Sequence, residues 1–149
     1  MAERKLEVRI LTPAIRQEIS QYKYQGEADM VIVRTITGDR GFLYGHEACS
    51  TILDSGFARI IGAGEQEIKL AVLGGVAQID DNIITIITET AEWPEDIDRS
   101  RAIEKRDDLL NRMETAEPDA LEGLKEELRA AELLVTASEL PSSGMSNEK

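Results

Sequence analysis

The sequence predicts a β + α chain, an N-terminal antiparallel β-sandwich followed by a C-terminal αα-hairpin. Between Leu6 and Ile87, about nine short segments rich in β-branched residues are separated by turn residues at roughly 8–12-residue intervals, the rhythm of a sandwich or barrel. No helix-length apolar stripe interrupts them before residue 90. Beyond residue 96 the apolar positions recur at helical spacing, with one break at Glu117-Pro118-Asp119.

Leu6-Glu7-Val8-Arg9-Ile10-Leu11 alternates apolar and charged side chains until Thr12-Pro13, as a half-buried strand does. Ile15 to Tyr24 and Met30 to Thr37 read as the next strands, the latter being too short an apolar run for an ordinary helix. Ser50 to Leu53 and Phe57 to Ile61 are separated by the turn residues Asp54-Ser55-Gly56, and Gly62-Ala63-Gly64 marks a hairpin turn. Gln66 to Leu73, Val76 to Ile79 and Ile83 to Ile87 complete the series, punctuated by Gly74-Gly75 and Asp81-Asn82. With no helix to cover them, the two sheets must cover each other, burying Val8, Ile10, Val31, Val33, Ile60, Leu70, Val72, Ile84 and Ile86.

The texture changes at Glu92-Trp93-Pro94. Pro94 disfavours helix just before itself, and Asp96 and Asp98 are good N-cap residues, so a helix is expected to start at residues 96 to 99. Ala102, Leu109, Met113 and Ala116, with Ile103 and Leu110 beside them, make one apolar stripe; Leu121, Leu124, Leu128, Ala131 and Leu134 make a second. The short connection pairs them as an antiparallel hairpin. Charge supports the boundary: residues 1–90 carry 9 basic and 13 acidic side chains, and residues 91–149 carry 8 and 16. The expected organisation is therefore a sandwich over 1–90, a helical hairpin over 91–136 and a disordered tail over 137–149.

A net charge of −12 argues against unspecific attraction to nucleic acid or anionic lipid. Cys49 is the only cysteine, which suits a reducing compartment, and no run approaches the ~18 apolar residues of a membrane helix. One histidine and one cysteine do not make a metal cluster, and a His46–Cys49 pair without an orienting group does not make a nucleophilic site. No metal site and no catalytic residue is expected. Cys49 reads as a small apolar residue, and Trp93 as a packing aromatic of the linker.

The most distinctive stretch is Gly38-Asp39-Arg40-Gly41-Phe42-Leu43-Tyr44-Gly45-His46-Glu47-Ala48, whose three glycines predict a loop that turns sharply twice on a rigid sheet scaffold. Gly38 to His46 resembles the Gly-Glu-x-Gly-x-x-Pro-Gly/Asn-His loop of the epsilon subunit of F-type ATP synthases. Leu6 to Pro13 is similar to that family's opening strand, Gly74-Gly75-Val76 and residues 83 to 87 to its Gly-Gly-Phe and Val-Thr-Ile-Leu elements, and Ala91-Glu92 and Ile97-Asp98 come after them in order. Tyr44 stands where the family usually has proline, and Glu47-Ala48-Cys49 where it has Ala-Pro-Leu.

The resemblance implies a sandwich of about ten strands followed by two helices, and a non-catalytic rotor subunit of the central stalk. It implies contact with the gamma subunit and the c-ring, membrane contact only through the complex, and a place at the cytoplasmic face of the cell membrane. Asp39, Arg40, Gly41, Tyr44, Gly45 and His46 would then form the contact loop. The helices would restrain ATP hydrolysis by extending toward the alpha and beta subunits. Ile97-Asp98-Arg99-Ser100-Arg101-Ala102 resembles the I/L-D-x-x-R-A motif that binds ATP in some bacterial epsilon subunits, which names Ile97, Asp98, Arg101 and Ala102 as a regulatory ATP site with no cofactor required for function. Arg106, Arg112, Lys125 and Arg129 are further cations available to phosphate if the hairpin folds. The competing physical reading is that Asp98 caps the helix and Arg101 is its surface partner. At the level of the whole chain, the alternative is a free-standing ligand-binding sandwich with a helical lid, distinguished by whether the protein purifies alone or with synthase subunits.

Overall fold

The computed structural model describes residues 4–12, 21–62 and 66–144, and the chain divides into two compact units between Ala91 and Glu92. The first unit contains β1 (Leu6–Thr12), β2 (Gln21–Ala28), β3 (Met30–Thr35), β4 (Gly38–Leu43), β5 (Cys49–Ile61), β6 (Glu67–Asp80) and β7 (Ile83–Ile87), and the two-residue β8 (Ala91–Glu92) straddles the division. The strands are ordered β2-β1-β7-β6-β5-β3-β4, with β8 on β6. Eight strands are present among the described residues, where about ten were expected. The sandwich is also mixed, because β1 runs parallel to β7, with Glu7 opposite Ile83 and Leu11 opposite Ile87. Of the strand expected over Ile15 to Tyr24, residues 15–20 lie outside the described residues, as do Ala63 and Gly64 of the expected hairpin turn.

Two expected turns are bends inside single long strands. β5 and β6 pair in one register from Cys49 opposite Ile79 to Ile61 opposite Glu67, running straight through Asp54-Ser55-Gly56 and Gly74-Gly75. What changes there is the inward face. On β5 the buried positions switch from odd (Leu53) to even (Ala58, Ile60), and on β6 from Leu70 and Val72, with Ala71 between them also buried, to the odd positions Ala77 and Ile79. Each strand thus turns a corner and lines the core at both ends, which is how one hydrogen-bonded path supplies both layers of a sandwich. The corner needs glycine: Gly74 and Gly75 have φ of 84° and 123°, and a Cβ on Gly75 would strike the Ile87 carbonyl. On β5 the Arg34 side chain lies across Gly56, where a Cβ has no room.

All nine core residues expected from alternation are buried. So are Leu6 and Phe42. On edge strand β2 the Tyr24 ring covers Gly26 in the same way that a side chain fills a neighbour's gap, and burial pushes the Tyr24 phenol above its ordinary 10.0.

The second unit contains buried Trp93 and a single 3₁₀ turn, Pro94–Asp96, followed by α1 (Arg99–Glu114) and α2 (Pro118–Ser138). Asp98 is the N-cap of α1, accepting from the Arg101 amide at 3.2 Å, and Pro118 opens α2, where its missing N–H costs nothing. The helices meet along Leu109, Leu124 and Ala131, with Met113, Ala116 and Leu128 packed beside them. Leu110, read as part of the apolar stripe, is instead exposed. The helix expected to give way to a tail at 137 continues through Ser138, and polar contacts hold Glu139 and Ser143 beyond its end. Arg99 pairs with Glu139 at 2.8 Å, and the Glu95 carboxylate accepts from both the Ser143 amide (3.0 Å) and its hydroxyl (2.7 Å).

Candidate functional site

Three features have the geometry of contact sites. The first is a row of branched apolar side chains on the outside of the sandwich. Thr35 and Leu53 are buried, so their neighbours Ile36 and Ile52 must point outward. The Ile36 amide donates to the Ile52 carbonyl, Ile52 lies opposite Val76, and Val76 lies opposite Ile87. Directly opposed residues share a face, so Ile36 (63% exposed), Ile52 (59%), Val76 (42%) and Ile87 (49%) form one continuous row across four chain segments. Singly exposed apolar residues are ordinary; a row in register is a docking surface in form. Sequence reading missed it, because an outward isoleucine is visible in a strand but its neighbours become visible only when the register is known.

The second feature is the glycine-rich stretch, which is not the twice-turning loop expected. Gly38–Leu43 is the edge strand β4, paired with β3 from Thr35 opposite Gly38 to Met30 opposite Leu43, and only Tyr44 to Ala48 is loop. Pairing with β3 along its whole length decides this, and Phe42 anchors the strand with a fully buried side chain. The six predicted contact residues stay together on this one edge. Asp39 pairs with Arg34 across the hairpin at 3.0 Å, and the Arg40 guanidinium lies 5.7 Å from the Phe42 ring centre. Tyr44 and Gly45 are exposed, and Gly45 has a φ of 87° that suits glycine. The His46 ring meets Phe42 edge-on with centroids 4.9 Å apart, and its Nδ1 lies 2.7 Å from the Glu47 carbonyl. Cys49 is half-buried at the start of β5.

The third feature lies wholly within the helical unit. A groove of about 600 Å³ is lined by all four residues of the ATP-motif reading, Ile97, Asp98, Arg101 and Ala102. Arg101 and Lys105, one turn apart on α1, line it and make no ion pair among the described residues. Of the other cations considered, Arg112 lines the groove and also pairs loosely with Asp108 at 3.7 Å, whereas Arg106 turns to Asp107 and Lys125 to Glu122. Glu92, Asp96, Glu104 and Asp108 add carboxylates to the same walls. Asp98 is engaged as the helix cap, as the structural reading of that residue required.

A family model described as ATP synthase, Delta/Epsilon chain, beta-sandwich domain matches residues 5–94. The chain belongs to this ATP synthase family. The ATP synthase epsilon chain of Brevibacillus brevis is 36% identical over 109 residues, spanning 73% of this chain and 78% of that one. That of Alkaliphilus metalliredigens is 39% identical over 88 residues, spanning 59% and 65%. Among solved structures, a chain of the Euglena gracilis mitochondrial ATP synthase OSCP/F1/c-ring assembly has the same fold, with a TM-score of 0.71 at 20% identity over 93% of this chain and 85% of that one. As an epsilon-type chain of the F-type ATP synthase, this protein is a non-catalytic subunit.

Proposed function

We propose that this epsilon-family chain is a rotor subunit of the central stalk, coupling ion flow through the c-ring to ATP synthesis and restraining ATP hydrolysis through its helical hairpin. The observation that carries the proposal is the in-register row Ile36, Ile52, Val76 and Ile87 on a doubly layered, stiff sandwich. On this reading the gamma subunit covers the row, and the β4 edge with Tyr44, Gly45 and His46 meets the c-ring. The hairpin meets the alpha and beta subunits transiently when it extends. The chain then works as a peripheral subunit at the cytoplasmic face of the cell membrane, touching the membrane only through the complex. Covering half-exposed isoleucines and valines is worth roughly 1 kcal/mol each at ~25 cal/mol per Å².

The test is reconstitution of a synthase depleted of this subunit. Ile52→Asp, at an outward position, leaves the fold intact by circular dichroism and weakens rebinding about tenfold or more, since it both removes apolar contact and buries a charge. Rebinding at wild-type affinity would remove the rotor reading.

We further assign the groove on α1 to regulatory ATP. Two cations without ion pairs, Arg101 and Lys105, supply the charge that phosphate requires, and a volume of about 600 Å³ suits a nucleotide. ATP bound there stabilises the folded hairpin, because α2 adds Ala131 and Leu134 to the groove only in that form. Titration with ATP, followed by Trp93 emission and calorimetry, is expected to saturate and to be lost in Arg101→Ala. A flat response at millimolar ATP would reduce the motif to a helix start.

A further inference from the structure

We propose that Asn82 is a positioning residue for the Tyr44–His46 turn: its carboxamide, projecting from the β6–β7 turn, fixes the direction in which that turn presents Tyr44 and His46 to a partner. The partner half of this statement rests on the docking reading above; the positioning half does not.

Asp80 lies opposite Ile83, so Asp81 and Asn82 form a two-residue hairpin turn, and both have positive φ, 48° and 63°. The Asn82 carbonyl accepts the Glu7 amide of β1 at 2.9 Å. The backbone of Asn82 is therefore held by the hairpin on one side and by β1 on the other, which leaves only its side-chain torsions free. Its Oδ1 accepts the amide of Gly45, 37 residues away, at 2.7 Å. That bond falls on the one residue of the turn with the widest conformational choice, since Gly45 has a φ of 87° and no Cβ neighbour within 4 Å. With Gly45 pinned, the His46 amide reaches the Leu43 carbonyl at 3.1 Å and the imidazole seats on Phe42.

Turn chemistry alone does not explain asparagine here. Glycine at position 82 would satisfy the second residue of the same turn with no side chain at positive φ, so the carboxamide is the feature that distinguishes this position. Ordering the turn before docking removes part of the entropy that a flexible glycine turn would lose on binding.

Asn82→Gly keeps the hairpin turn and deletes the acceptor; Asn82→Asp keeps an Oδ1 acceptor and tolerates the same φ. In the free full-length protein, hydrogen-exchange protection of the Gly45 amide is expected to fall about tenfold in Asn82→Gly, the equilibrium equivalent of one hydrogen bond, and to be retained in Asn82→Asp. Thermal unfolding should not drop in Asn82→Gly, which separates positioning from a structural role. Rebinding to the depleted synthase is expected to weaken several-fold in Asn82→Gly and to recover in Asn82→Asp. Unchanged Gly45 protection in Asn82→Gly overturns the proposal whatever the affinity. Unchanged affinity in Asn82→Gly, with His46→Ala weakened, also overturns it. If neither variant loses affinity while protection is lost, the docking reading fails and the positioning of the turn stands.

Discussion

In the β unit, Val31, Ile60, Leu70 and Ile84 come from four different strands and are each sealed from solvent, whereas the helical unit closes on one seam of Leu109, Leu124 and Ala131. The strands are joined by a ladder in which β5 and β6 pair along nearly their whole length, so no strand leaves without breaking its neighbours' hydrogen bonds. The two helices satisfy their backbones internally, and side-chain packing together with the Arg99–Glu139 and Glu95–Ser143 ties joins them. The unit carrying the exposed apolar row is cross-linked strand to strand, whereas the unit carrying the groove on α1 is joined through side chains, so the helical unit is expected to open at lower cost, as locally unfolding elements do.

The sharpest way to break this comparison is to cut each core once. Phe42→Ala removes a fully buried ring from the β unit and is expected to cost about 3–5 kcal/mol, lowering the denaturant midpoint of the whole sandwich signal. Leu109→Ala is expected to cost about 2–4 kcal/mol, confined to the helices. In Leu109→Ala, helical ellipticity should melt before the β signal; a single shared transition would show that the two units are one cooperative block.

A smaller effect tests what closes the open end of the hairpin. Ser143→Ala deletes the hydroxyl that donates to Glu95 and is expected to lower hairpin stability by about 1 kcal/mol, read as faster amide exchange at the end of α2. Exchange rates unchanged there would remove the Ser143 hydroxyl as a tie that holds the hairpin closed.

The smallest effect belongs to the β unit. Burial raises the Tyr24 phenol above 10.0, so the folded state keeps its proton where the unfolded chain loses it. Stability is then fully present below about pH 10 and declines as pH rises through and above that value. Tyr24→Phe should flatten the decline, and an identical alkaline profile in that variant would remove Tyr24 as its source.

Legibility from sequence tracked the range of the interaction involved. The nine alternating core residues were readable because a strand with one buried face repeats every two residues, and Asp98 and Pro118 because helix ends are set by chemistry within one turn. The ATP-motif residues were also adjacent in sequence, so their meeting on one groove wall needed only a helix. The glycine-rich stretch misled for the opposite reason: glycines signal freedom, and whether Gly38 to Leu43 used it depended on β3 being there to pair with.

By itself, then, the sequence determined the sandwich-and-hairpin class, most of the core and the helix boundaries, all of which depend on dihedral preference and periodicity within a few residues. Only the tertiary structure decided that Asp54-Ser55-Gly56 and Gly74-Gly75 are corners and not turns, that Ile36, Ile52, Val76 and Ile87 stand side by side, and that Asn82 reaches Gly45. Each of these depends on which distant strands pair and in which register, and a one-residue shift in that pairing would send every one of those side chains to the other face.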